Sequence, residues 1–308
     1  MSNFEMRSLA LTMAVEHSET GAPVDMVLDT AARFHDYLSG TPIRNAAQTQ
    51  VRAYTTIQIM ELMICQNDPV KFAESIALPA PDGKMTGGLN APQLQYIRDL
   101  HTNANTVCLA SRQVGSSLCL AIFVLWTAMY KANQTVAVLA PTHNQSIEII
   151  HRVRAIYGNL PEHLKLPLTG NSKEKVTFEN GSAIITRALT SDALRGLGVT
   201  LLAIDNACWI SHSKSDEAKT LIAPHMTLGT KMIIQSSAGE AQGFFYDVWT
   251  ASLPKNSRTG FTPLFLDWRD YPGRDAAWAA DMKRNVGEQA FRRDYDGEFT
   301  TPRTLAVK

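Results

Sequence analysis

The chain has 308 residues, 45% hydrophobic and 19% charged, enough apolar sequence to bury a substantial core and too much for a disordered chain. Lysine plus arginine balances aspartate plus glutamate at 29 each, for a formal net charge of zero. That excludes binding to nucleic acid through a global basic field, so any such contact must use a local basic patch.

In chain order, residues 1 to about 65 read as helical. Val24, Val27, Leu28, Ala31, Phe34, His35 and Leu38 recur at helical spacing, with Gly40 just past the end; His35 reads as a packed or half-exposed helix residue and not a ligand. The Pro- and Gly-rich stretch 77–92 reads as a connector. From 106 the texture changes. Short apolar runs at 106–110, 135–141, 183–189, 201–207, 231–237 and 263–268 alternate with helical stretches such as 144–160. Near-continuous apolar strands in alternation with helices predict an α/β fold with a mainly parallel sheet flanked by helices. Asn180-Gly181 predicts a local hairpin. The longest apolar run, 118–130, is too short to span a bilayer and reads as a buried helix, and no signal peptide is read. The four cysteines, Cys65, Cys108, Cys119 and Cys208, have no ligand spacing and read as free thiols of a reducing cytoplasm.

Ligands of such sheets bind at the carboxyl ends of the strands. The run 106–110 ends in Ser111-Arg112-Gln113-Val114-Gly115-Ser116-Ser117, followed by the long apolar helix. A tight Gly-containing turn opening a helix presents backbone N–H groups to phosphate, and Ser117 stands where a hydroxyl would meet Mg²⁺. The lysine of such loops is replaced by Ser116, so the same segment is also compatible with an ordinary strand-to-helix turn. The run 201–204 then presents Asp205 at a strand tip, the position of an Mg²⁺-holding carboxylate. Asn206 follows where ATPases of this design carry glutamate; an amide can orient water but cannot accept its proton. Ser236 and Ser237 end a further strand that would lie between the loop strand and the acidic strand, sensing γ-phosphate. Gln93, eighteen residues before Ser111, is placed to read adenine with its amide. Turn serines and a solvated helix glutamine are the plainer readings of these last three.

The ordered set resembles the ATPase half of large terminase subunits, the DNA-packaging motors of tailed phages. The matching texts are NDPVKFAESI, NAPQLQYIRDL, SRQVGSS, APTHNQS, FENGSAIITRALTSDALRGLGVTLLAIDNACWI, IIQSSAGEAQGFFYDVWTAS and GEQAFRRDYDGEF, in order between residues 65 and 299. The resemblance implies a P-loop NTPase of the additional-strand (RecA-like) type with an N-terminal helical extension: residues 1–90 helical region and connector, 91–300 ATPase-like core with C-terminal lid helices. It implies ATP and Mg²⁺ as cofactors. Its implied partners are double-stranded DNA, a portal protein and a small terminase subunit, in a homo-oligomeric ring on the procapsid, in the bacterial host's cytoplasm and away from membranes. Carried over, Gln93 matches the adenine-reading glutamine, Ser111 to Ser117 the phosphate loop (Walker A) with Arg112 as its arginine, Asp205 the Mg²⁺ aspartate (Walker B), and Ser236 and Ser237 the motif coupling hydrolysis to movement. Arg195 matches an arginine before the acidic strand that meets phosphate, a neighbour or DNA. Ser116 and Asn206 depart from the pattern, which implies impaired hydrolysis. The family's nuclease domain would begin near residue 300, so no DNA cleavage is expected of this sequence; Asp294, Asp296 and Glu298 match linker text instead of a nuclease core. The alternative is a terminase-derived module that binds nucleotide, DNA or partners without hydrolysis. A two-domain helicase is excluded for want of room for a second P-loop-like domain.

Overall fold

The computed structural model describes residues 54–79, 85–255 and 259–302; the helical reading of 1–53, His35 included, lies outside them. Two helices come first, α1 (Thr56–Asn67) and α2 (Pro69–Glu74). Thr55 and Gln58 form a reciprocal capping box at the start of α1, and Asp68 accepts from Val70 N at 2.8 Å at the start of α2, each satisfying amides that a helix start leaves unpaired. Trp126 Nε1 donates to Cys65 O at 2.8 Å, which ties this pair to the body of the protein. The connector contains an antiparallel two-stranded pairing, β1 (Leu78–Pro79) with β2 (Met85–Gly87). Asn90 and Gln93 then cap α3 (Ala91–Thr102).

The main sheet has eight strands in the order β10 (Thr262–Leu266), β3 (Asn105–Ala110), β9 (Lys231–Ser236), β8 (Leu201–Ile204), β4 (Thr135–Ala140), β7 (Ala183–Ala188), β6 (Lys175–Phe178), β5 (Leu168–Ser172). Pairings from β10 through β7 are parallel, and β7–β6 and β6–β5 are antiparallel. All six predicted strands are present. The alternation of side chains sorts the strands into two layers. Cys108, Ala110, Val136, Val138, Ala203 and Ile233 pack under α4 (Ser116–Tyr130) and α5 (His143–Asn159). Val107, Leu109, Ala137, Leu139, Ile204 and Ile234 pack against α6 (Ser215–Thr227) and α7 (Phe244–Ser252). Because both faces are covered, the strand runs read as continuously apolar.

Three local features differ from the sequence reading. The acidic strand ends at Ile204, not 207, because Asn206 turns into the left-handed region at φ 56°. The Asn180-Gly181 hairpin joins β6 and β7, but Asn180 is buried and its amide donates to Ala128 O and Met129 O at the end of α4. The side-chain amide thus serves a helix terminus. The antiparallel β5 extends the sheet at that edge, where Lys173 and Glu174 form the turn. The C-terminal part, α8 (Ala276–Val286) and α9 (Glu288–Asp294), packs Trp268, Tyr271, Phe291 and Tyr295 into the same core layer as α4.

Candidate functional site

The site lies at the carboxyl ends of β3, β9 and β8. β9 stands between the other two, with Leu109 opposite Ser236 on one side and Ile204 opposite Ile234 on the other. Past Ala110, the amide of Ser111 donates to Leu266 O at 2.9 Å and that of Arg112 to Asp294 O at 2.7 Å. The amides of Gln113 to Ser117 donate no hydrogen bond to any described residue. The amides of Leu118 and Cys119 both return to Gly115 O at 3.0 Å. Gln113 stands at φ 62° and Gly115 at φ 83°, a turn of alternating backbone hand at the positive end of α4, which is the kind of concavity that can receive an anion. Glycine suits the backbone conformation there, and a side chain at Gly115 would put its Cβ 2.4 Å from Gln93 Nε2, the end of a flexible side chain that would have to move.

Ser117 Oγ, in the first turn of α4, donates to Asp205 Oδ2 at 2.9 Å. The other oxygen, Oδ1, accepts from Gln235 Nε2 at 2.8 Å and from the amide of Asn206 at 2.9 Å. Tyr96 OH donates to Gln235 Oε1 at 2.7 Å and so fixes the amide's orientation. Burial pushes the Asp205 carboxyl above its ordinary range, and the donors from Gln235, Ser117 and Asn206 offset only part of that. A buried carboxylate beside a hydroxyl at the start of a helix is an oxygen donor set of the kind Mg²⁺ uses, so these residues fit the ion.

The other sequence-predicted residues are placed as follows. Gln93 sits against the loop: Nε2 donates to Val114 O at 3.1 Å and Oε1 accepts from Asn90 N at 3.1 Å. Its amide is thus engaged in the structure as it stands. Arg112 turns away from the concavity and pairs with Asp294 at 3.0 Å, and its amide is also taken, so both of its groups serve the C-terminal segment. Burial would raise the Asp294 carboxyl, but Arg293 and Arg112 together hold it below its ordinary range. Asp296 accepts from Trp268 Nε1 and Arg269, and Glu298 pairs with Arg292. Ser111 Oγ donates to Tyr295 O and accepts from Trp268 N. Ser116 and Ser117 are half-buried at the helix start. Ser236 Oγ accepts from Cys208 N at 3.0 Å, and Ser237 Oγ lies 4.0 Å from Cys208 Sγ. Ser236 therefore holds the turn that follows Asp205, and Ser237 lies beside it. Arg195 is exposed in the 190–198 turn, and no described contact brings it to the loop.

Two contacts at the candidate site escaped the sequence reading. Gln235 left a trace, a polar residue inside an apolar strand run. Arg274 left none: it reaches the loop from the segment after Tyr271, donating to Arg112 O and Gln113 O.

The profile of the family described as "Terminase large subunit, T4likevirus-type, N-terminal" matches residues 107–305. The chain belongs to the large terminase subunit family. Solved structures share its fold. The Thermus phage P74-26 large terminase ATPase domain superposes at TM-score 0.55 and 17% identity, covering 72% of this chain and 99% of that one. The HK97 bacteriophage large terminase superposes at 0.59 and 12%, covering 75% and 54%. The large terminase of another thermophilic bacteriophage, in complex with ATP-γ-S, superposes at 0.52 and 12%, covering 69% and 53%. This terminase chain thus spans about half the length of the last two proteins. Among the described residues, no helix is long and apolar enough to cross a membrane.

Proposed function

We propose that this terminase chain binds ATP with Mg²⁺ at the concavity formed by the loop 113–117, and that it hydrolyses ATP very slowly or not at all. The observation that carries the reading is the Ser117–Asp205 hydrogen bond of 2.9 Å beside a run of unpartnered loop amides. The amides and the α4 terminus would take the phosphates, Ser117 and Asp205 would hold the ion, and Gln93 would read the base once its amide is released from Val114. When bound, Mg²⁺ supplies charge neutralisation on the phosphates.

Two groups that hydrolysis needs are missing. Ser116 brings no charge to the transferring phosphoryl group, and losing one such group costs about 10²–10³ in rate. Asn206 cannot take a proton from water, and losing a general base costs about 10²–10⁴. Arg112 does not repair the deficit, because it is paired with Asp294. The family supports reading residues 91–300 as a motor core that packages double-stranded DNA with a portal and a small subunit, as a ring on the procapsid, with 1–90 preceding that core. The second reading, a nucleotide-binding module released from catalysis, is favoured by the same two substitutions.

Calorimetry with ATP and Mg²⁺, with a phosphate-release assay in the presence of DNA and portal, tests the reading. The expected result is low-affinity binding, weakened by Ser117→Ala, with no turnover above background. Turnover at about 1 s⁻¹ or faster, or absence of any binding, would overturn it.

A further inference from the structure

The loop's conformation needs an external restraint. Gln113 is held at φ 62°, a left-handed conformation that a non-glycine residue adopts only when its surroundings over-determine it. Turning amides 113–117 into the concavity also leaves the carbonyls of Arg112 and Gln113 on the outer side, where they need donors. In a loop of this kind a lysine would stand at residue 116, but here Ser116 supplies no cation.

The donors come from the C-terminal segment. Arg274 Nη1 donates to Arg112 O at 3.2 Å and Nη2 to Gln113 O at 2.5 Å. One planar guanidinium thus bridges two adjacent carbonyls, a match that lysine's point charge cannot make. The guanidinium is itself fixed between two rings, 5.6 Å from the centre of Tyr271 and 4.9 Å from that of Trp278. Tyr271 and Trp278 are packed in turn: Tyr271 is buried, and Trp278 lies against Trp268 and Tyr295 at 5.1 and 5.5 Å. The same segment holds the start of the loop through the Arg112 amide on Asp294 O and Ser111 Oγ on Tyr295 O.

We infer that Arg274 is a positioning residue for phosphate binding. It clamps the carbonyl side of the loop so that the amide side stays open and left-handed at Gln113, work done from the segment just before α8 with no lysine in the loop. It does not touch the phosphates; it acts through the backbone of residues 112 and 113. The inference rests on the nucleotide reading above and deepens it by naming the residue that prepares the site.

The test uses the full chain with Arg274→Met, which keeps an apolar stem between the two rings and removes both donors, and Arg274→Lys, which keeps the charge on a single donor nitrogen. Two quantities are read: ATP affinity by calorimetry with Mg²⁺, and the hydrogen-exchange rate of the Arg112 amide without nucleotide. The expected result is an ATP affinity lowered roughly tenfold in Arg274→Met, a smaller loss in Arg274→Lys, and faster Arg112 exchange in both, in the same order. A merely structural role would show instead as a lowered melting temperature with ATP affinity and Arg112 exchange unchanged, and that outcome overturns the proposal. So does an ATP affinity within about twofold of the parent when the parent binds ATP. If the parent binds no ATP while Arg112 exchange still accelerates in the variants, the nucleotide reading fails and the loop clamp stands. Should Arg274→Met not fold, the lysine variant carries both measurements at reduced amplitude, with the same criteria.

Discussion

Ser117 and Asp205 lie 88 residues apart in sequence and meet through one hydrogen bond of 2.9 Å. That contact joins the first turn of α4 to the tip of β8 over the end of β9, whose Gln235 holds the second carboxylate oxygen. Ser117→Ala removes one of the donors that compensate a buried carboxylate. It is expected to cost about 1–2 kcal/mol of stability and to abolish the Mg²⁺-dependent part of ATP affinity. Urea unfolding and ATP titrations with and without Mg²⁺ check both. An unchanged Mg²⁺ dependence would remove Ser117 from the ion site.

Asp205 gives a pH-dependent test. Its folded carboxyl is pushed above the ordinary range by burial, so the folded state binds the proton more tightly than the unfolded chain does. The burial penalty is absent below the unfolded value, about pH 4, and grows as pH rises through the raised folded value. Asp205→Asn removes the penalty and can keep its partners, since the Ser117 hydroxyl can accept as well as donate. The variant should therefore melt higher than the parent at pH 7, with the difference shrinking toward pH 4 and below. Melting curves across that window decide it. A variant less stable at pH 7 would mean that the three donors outweigh burial.

Much of this arrangement was legible in the sequence, and the rest was not, for physical reasons. The strands were visible because burial on both faces makes their runs apolar throughout. The loop and the acidic tip were visible because each is a local pattern, a strand followed by a small polar turn. The order β3–β9–β8 was expected from the family plan for the serine-tipped strand. Arg274 was invisible because a guanidinium reaching across 161 residues to Gln113 leaves no periodicity. The turning of Arg112 toward Asp294 was hidden likewise: the loop reads as cationic until its partner, folded back from α9, is seen.

Gly115 is bound by two constraints at once, φ 83° and the Gln93 amide 2.4 Å from where a Cβ would stand. Gly115→Ala should cost roughly 1–3 kcal/mol and lower ATP affinity, because a side chain at positive φ disturbs the backbone that presents the loop amides. Chemical denaturation measures the first effect and calorimetry the second. An alanine variant as stable as the parent would show that the loop relaxes freely.

Tyr271 is buried, and its hydroxyl has no hydrogen-bond partner among the described residues. Its ring, not its oxygen, backs Arg274. Tyr271→Phe should therefore be neutral or stabilising by about 1 kcal/mol, with ATP affinity unchanged. A loss of more than about 1 kcal/mol on unfolding would reveal a partner for the hydroxyl, such as a bound water.

The central claim is that the loop and the strand tip face each other across a nucleotide, silenced at two positions. Steady-state phosphate release by the double variant Ser116→Lys/Asn206→Glu, compared with each single variant in the presence of DNA and portal, tests it most directly. The lysine would supply charge to the transferring group and the glutamate a base for water. Groups acting as a unit are non-additive, so turnover should appear in the double variant and stay near background in both singles. Tight ATP binding without turnover in the double variant would favour the non-hydrolysing module. Neither binding nor turnover would contradict the placement of the site.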